Sequence, residues 1–95
     1  MPLALIEVSL GPDDTQKALA SFAAMREEIV AMEGNLSFHA SPIDGGVVVL
    51  HEWRSHQAFA AYRNSPAFAT LIATVKPLAT QVPRSRLFEE YVAPA

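Results

Sequence analysis

The chain contains no cysteine. That excludes a disulfide framework, a thiolate nucleophile and a thiolate metal site, and leaves stability to packing alone. Basic residues are scarce, with seven Lys and Arg against ten Asp and Glu and a formal net charge of −3. They are also scattered, so no electrostatic footprint for a phosphate backbone exists and nucleic acid is not an expected partner. The four glycines form no phosphate-cradling pattern, because Gly11 and Gly34 bound the first helical segment and Gly45-Gly46 sits in a turn. No nucleotide cofactor is implied. Serines occur without a nucleophile elbow, and neither Ser37 nor Ser41 has a histidine and a carboxylate at a recognisable spacing. Long apolar runs are missing as well. The N-terminal stretch Met1-Pro2-Leu3-Ala4-Leu5-Ile6 ends at Glu7 and has no basic segment before it, which fits neither a secretory signal nor a membrane span. The expectation is a cytoplasmic protein with no membrane partner.

Apolar side chains, in contrast, make up 51% of the 95 residues. The length predicts one domain over residues 1–95. A domain of this size buries only roughly 60 to 65% of the surface its unfolded chain exposes, too little to hide so much apolar sequence. Part of the surplus is expected at a subunit interface.

Alternation of Ala4, Ile6, Val8 and Leu10 predicts a strand over Leu3 to Leu10, ended by Gly11-Pro12. Asp13 reads as a helix N-cap with Gln16 as its capping-box partner, and Ala18, Phe22, Met25, Ile29 and Met32 recur at helical spacing. Lys17, Arg26, Glu27 and Glu28 occupy the other side, and Gly34 reads as the C′ glycine. Leu36 to Ser41 and Gly46 to Trp53 are extended segments joined by a hairpin loop, Pro42-Ile43-Asp44-Gly45. Val47-Val48-Val49-Leu50 is apolar on both parities, which predicts a central strand covered on both faces. One face can be covered by the chain's own helices, and the other calls for a partner subunit.

Ser55 caps a helix through Phe59 to Tyr62, and Ser65-Pro66 opens another carrying Phe68, Leu71, Ile72 and Val75, ended by Pro77. Pro83 marks a loop, and Arg86 to Val92 reads as a closing strand. The order βαββαβ leads to a ferredoxin-like α+β sandwich, a four-stranded antiparallel sheet with two helices on one face.

His39, His51 and His56 invite a metal reading, but His51 and His56 are five residues apart and the first lies on a strand. The zincin spacing is four on a helix, so no metal site is expected. The remaining polar and aromatic groups gather around one strand and the helix after it: His51, Trp53, Tyr62 and Arg63, with Phe38 and His39 across the hairpin. If Ser41 and Gly46 close the hairpin, Phe38 faces Val49 and Leu36 faces His51, and one face carries Leu36, Phe38, Val49, His51 and Trp53. Each has a structural alternative: Trp53 as core, His51 as a hydrogen-bonded core histidine, Tyr62 as an ordinary helix residue with its hydroxyl in water.

Glu52-Trp53-Arg54-Ser55, followed by Phe59, Tyr62 and Asn64-Ser65-Pro66-Ala67-Phe68, resembles the antibiotic biosynthesis monooxygenase family of small dimeric α/β-barrel proteins. Glu33-Gly34-Asn35-Leu36-Ser37-Phe38 and the terminal Leu87-Phe88-Glu89 extend the likeness over nearly the whole chain. The resemblance implies a homodimer formed through sheet faces. It also implies oxygenation of a small or polycyclic aromatic phenol or hydroquinone by dioxygen, with no flavin, haem, metal or other cofactor. Trp53 matches the family's tryptophan, for which stacking on or positioning the substrate is implied. We take His51 and Tyr62 as the groups for proton transfer or oxyanion hydrogen bonding, beside Trp53 in the catalytic set. Asn35, Phe38, His39, Arg63, Phe68 and Ile72 are the candidate substrate-binding residues. Haem-degrading relatives use an asparagine on the first strand and a histidine on the second main helix; this chain has neither, with Ile72 near the ligand position. The alternative function is a non-catalytic small-ligand-binding or stress-related dimer of the same fold.

Overall fold

A computed structural model describes residues 1–89. Its elements are β1 (Leu3–Ser9), α1 (Pro12–Val30), β2 (Asn35–Ile43), β3 (Gly46–Trp53), α2 (His56–Arg63), α3 (Pro66–Val75), a short 3-10 turn (Lys76–Leu78) and β4 (Arg84–Phe88). The strands form one antiparallel sheet in the order β2-β3-β1-β4. This is the ferredoxin-like α+β sandwich that the element order predicts, and the second helical stretch divides at Asn64-Ser65 into α2 and α3, as the two serine caps lead one to expect.

Strand alternation decides what each face of the sheet carries. Ala4, Ile6 and Val8 of β1, Phe38 of β2 and Val47, Val49, His51 and Trp53 of β3 point toward the helices. Against them pack Ala18, Phe22 and Ile29 of α1, Tyr62 of α2 and Ala67, Leu71 and Val75 of α3, all buried. Met25 and Met32 complete the α1 stripe as partly buried residues. The other face carries Leu3, Leu5, Val48 and Leu50, which are only half-buried, and Phe88, which is exposed. β3 is thus central, as its apolar sequence predicts, with one face under helices.

Two helix ends differ from expectation, each for a local reason. Asp13 does not cap α1: Gly11 is the N-cap and Pro12 is the first helical residue, with Asp13 and Asp14 in the positive first turn. Thr15 helps here, since its hydroxyl donates to the Gly11 carbonyl at 3.0 Å. Gly34 is not the C′ residue, because the helix is closed at Ala31. It sits instead in a turn where the Asn35 N–H donates to the Met32 carbonyl at 3.1 Å. There its φ is +83° and a Cβ would lie 2.5 Å from Ala58 Cβ, so both conformation and space require glycine. Pro77 ends α3 as expected, its last residue being Val75, and the chain then tightens into the 3-10 turn, where the missing proline N–H has no role.

The hairpin is also tighter than predicted. Ile43 pairs with Gly46 across a two-residue turn, Asp44-Gly45, with Gly45 at φ +83°. Phe38 therefore faces His51 and Ala40 faces Val49, two residues away from the expected pairing. A shift of two preserves parity, so the face assignment survives. Leu36 is the exception. A register irregularity between Asn35 and Ser37 puts it out of the ladder, and it is exposed. β4 starts at Arg84, earlier than expected, and Tyr91 and Val92 of the predicted closing strand lie outside the described residues.

Candidate functional site

The site starts from the alternation of β3. With Val47, Val49, His51 and Trp53 on the helix side, the last two reach the end of the sheet where α2 and α3 cross it. Two serine caps aim those helices. Ser55 Oγ accepts the Ala58 N–H at 3.1 Å, and Ser65 Oγ accepts the Phe68 N–H at 3.2 Å while donating to the Tyr62 carbonyl at 2.6 Å. The second serine thus ties the end of α2 to the start of α3 and brings Tyr62 and Phe68 together, ring centroids 5.2 Å apart.

His51 lies inside an aromatic cage. Its ring centroid is 5.3 Å from Tyr62, 5.7 Å from Phe38 and from Phe59, and 6.0 Å from Trp53. Tyr62 in turn stacks on Trp53 at 5.0 Å. The Trp53 indole N–H donates to His51 Nδ1 at 2.6 Å. His51 is 1% exposed, and its Nε2 is buried without a protein hydrogen-bond partner. Desolvation lowers the His51 pKa from 6.5 to about 4, so the imidazole is neutral at physiological pH. Burial likewise pushes the Tyr62 phenol up to about 12 and keeps it protonated.

Two adjoining cavities open beside this cage. One of about 470 Å³ lies between the sheet and α3, walled by Val8, Val49, Leu71, Ile72 and Val75, with Lys76 at its edge. The other, of about 290 Å³, lies toward α2 and β4 against Ala4, Phe59, Arg63 and Leu87. Ile6, His51, Tyr62, Phe68 and Ser85 line both. The larger cavity is of a size that takes a small organic ligand, and its walls are mostly apolar. Among the described residues no aspartate or glutamate lines either space. The arrangement can hold a flat apolar molecule and present neutral hydrogen-bonding groups to its oxygen atoms.

Of the residues singled out from the sequence, His51, Tyr62, Arg63, Phe68 and Ile72 are brought together at these cavities. Arg63 holds its guanidinium over the Phe59 ring at 5.7 Å. Trp53 is fully buried behind His51 and Tyr62 and lines neither space. Phe38 backs the imidazole from β2. Asn35 and His39 stand apart: the Asn35 amide donates to the Ser37 carbonyl at 3.2 Å, and His39 is exposed beside a separate groove with Arg26 and Phe22. Among the described residues no three His, Asp or Glu side chains gather as metal ligands.

Sequence reasoning missed Ile6, Val8 and Ser85. The first two were readable in principle, since the inward parity of β1 and its place beside β3 put them over the same helices. Ser85 was not, because the closing strand was expected to begin after it.

The sequence profile described as antibiotic biosynthesis monooxygenase matches residues 1–74. The chain belongs to this family. Solved structures agree on the fold. A Mycobacterium tuberculosis protein, Rv0793, is 26% identical over the full length of both chains with a TM-score of 0.85. A candidate antibiotic biosynthesis monooxygenase from Nitrosomonas europaea is 17% identical, covering 97% of this chain and 100% of its own, with a TM-score of 0.86. One from Caulobacter crescentus, at 15% identity, covers 96% and 90% with a TM-score of 0.86. No curated protein sequence matches the chain. Among the described residues no helix is long and apolar enough to cross a membrane.

Proposed function

We propose that this family member is a monooxygenase that needs no bound cofactor and oxidises a phenolic, hydroquinone or polycyclic aromatic substrate with dioxygen. The observation that carries the reading is the apolar double cavity with His51 and Tyr62 on its shared wall. Family membership supports the reaction class.

The chemistry balances with dioxygen as the only co-reactant. A substrate with an acidic C–H para to a phenolic or keto oxygen, such as an anthrone, loses a proton to give a delocalised anion. The anion gives one electron to dioxygen, the carbon radical and superoxide combine, and protonation yields a hydroperoxide. Loss of water leaves a quinone carbonyl, so CH2 and O2 become C=O and H2O. The protein's part is to hold the ring in a dry slot and to stabilise the oxyanion of the intermediate with fixed donors. Trp53 acts from behind the wall, stacking on Tyr62 and bonding His51.

One observation favours a second reading, ligand binding without turnover: among the described residues no carboxylate lines the cavity, and neither His51 nor Tyr62 has the character of a base at neutral pH. Oxygen consumption by metal-free protein with a panel of anthrones and hydroquinones separates the two. Turnover that disappears in Ile72→Trp, which fills the larger cavity from its partly exposed rim, supports the oxygenase. Tight binding with no oxygen uptake supports the binder.

A further inference from the structure

His51 offers two nitrogens to its surroundings, and the structure fixes what each can do. An indole nitrogen is a donor only, so His51 Nδ1, 2.6 Å from Trp53 Nε1, must be an unprotonated acceptor. A neutral imidazole carries one N–H, and with Nδ1 bare that proton is on Nε2. Among the described residues Nε2 is the buried side-chain polar atom that lacks a protein partner, and the ring that carries it lines both cavities. A buried donor left unpaired is costly; the Phe38 and Phe59 rings beside it carry no acceptor atom, and Nε2 makes no hydrogen bond to the Tyr62 hydroxyl.

We propose that His51 Nε2–H is the hydrogen-bond donor that receives an oxygen of the bound ligand, and that Trp53 is the positioning residue that locks His51 in this tautomer. The inference rests on the cavity being the ligand site and deepens that reading. It assigns His51 the role of oxyanion or carbonyl holder and removes it from the role of base. It also defines the ligand: an aromatic molecule with a keto, phenolate or enolate oxygen at its edge, whose affinity comes partly from accepting this one bond. A donor-only edge, such as an amine N–H at the same position, would meet Nε2–H head-on and be rejected. Substrate acidity then follows, because a donor aimed at the oxygen stabilises the anion and lets its proton leave to solvent without a residue taking it.

The test joins spectroscopy to a matched ligand pair. In protein labelled with 15N histidine, long-range 1H–15N correlation at neutral pH is expected to show His51 with a protonated Nε2 and a bare Nδ1. Trp53→Phe should convert this pattern to a mixture of tautomers. Titration with 1-tetralone, which has an acceptor oxygen, and with tetralin, the same skeleton without it, should show the ketone binding about tenfold tighter in the wild-type protein. The His51 Nε2 proton should move downfield only with the ketone. Trp53→Phe and His51→Phe should each reduce that preference to near unity. If either variant fails to fold, the wild-type tautomer and ligand pair still decide. A protonated Nδ1, or equal binding of the two ligands, overturns the donor role and leaves the cavity as the ligand site. Absence of binding by both overturns the site reading and this inference with it.

Discussion

A histidine closed in by four aromatic rings has its acid–base behaviour set by desolvation. His51 is neutral in the folded state with a pKa of about 4 and returns to 6.5 when the chain unfolds. The unfolded chain therefore binds more protons between those values, and the sign follows: stability is full above about pH 6.5 and falls as the pH drops toward 4. The loss amounts to about 3 kcal/mol when complete. Tyr62, the other titratable ring in the cage, stays protonated throughout this range and contributes nothing to it. Urea unfolding at pH 7 and pH 4.5 should show this slope in the wild-type protein and a flatter one in His51→Phe; parallel slopes would contradict it. The residues of this cage were legible in part. Parity alone put His51 and Trp53 on one face, and the helix that follows this strand drew in Tyr62. Trp53 as core was one of two readings the sequence left open, because a register two residues off gives the right face with the wrong neighbours.

At the level of elements, the errors gathered at caps and turns. Strand and helix interiors carry apolar repeats that a sequence displays openly, as in Val47 to Leu50 or Phe22 to Ile29. A cap depends on which of several adjacent polar residues wins, and Gly11-Pro12 outcompeted Asp13 because proline presets the first helical φ. The same holds for Asp44-Gly45, which can turn the chain in two residues and so extends both strands of the hairpin. Gly34 gives the sharpest test at this scale. Its positive φ and its contact with Ala58 join the α1–β2 turn to α2. Gly34→Ala should therefore destabilise the fold by more than about 1 kcal/mol, read as a lower urea midpoint at unchanged slope. Gly34→Ala with the wild-type midpoint would show that the turn relaxes without cost.

For the whole molecule, the open sheet face is where the apolar surplus goes. Leu3, Leu5, Val48 and Leu50 are half-buried, and among the described residues no helix packs on them. Composition alone predicted a surplus, and the strand alternation locates it. We propose that a second copy covers this face. Wild-type protein should run as a dimer by light scattering at micromolar concentration, and Leu50→Glu, which puts charge on the face, should give a folded monomer. A monomeric wild-type protein would contradict the homodimer. The helix side tells the other half: Phe22, Val49 and Leu71 belong to the core, and a cavity of about 470 Å³ opens beside them.

The most direct test of the central claim is the oxygen balance of a single reaction. Metal-free protein given an anthrone under air should consume one dioxygen per anthrone and release the anthraquinone with no hydrogen peroxide, since the second oxygen atom leaves as water. Oxygen uptake no faster than in the absence of protein, across a panel of anthrones that bind, would contradict the account.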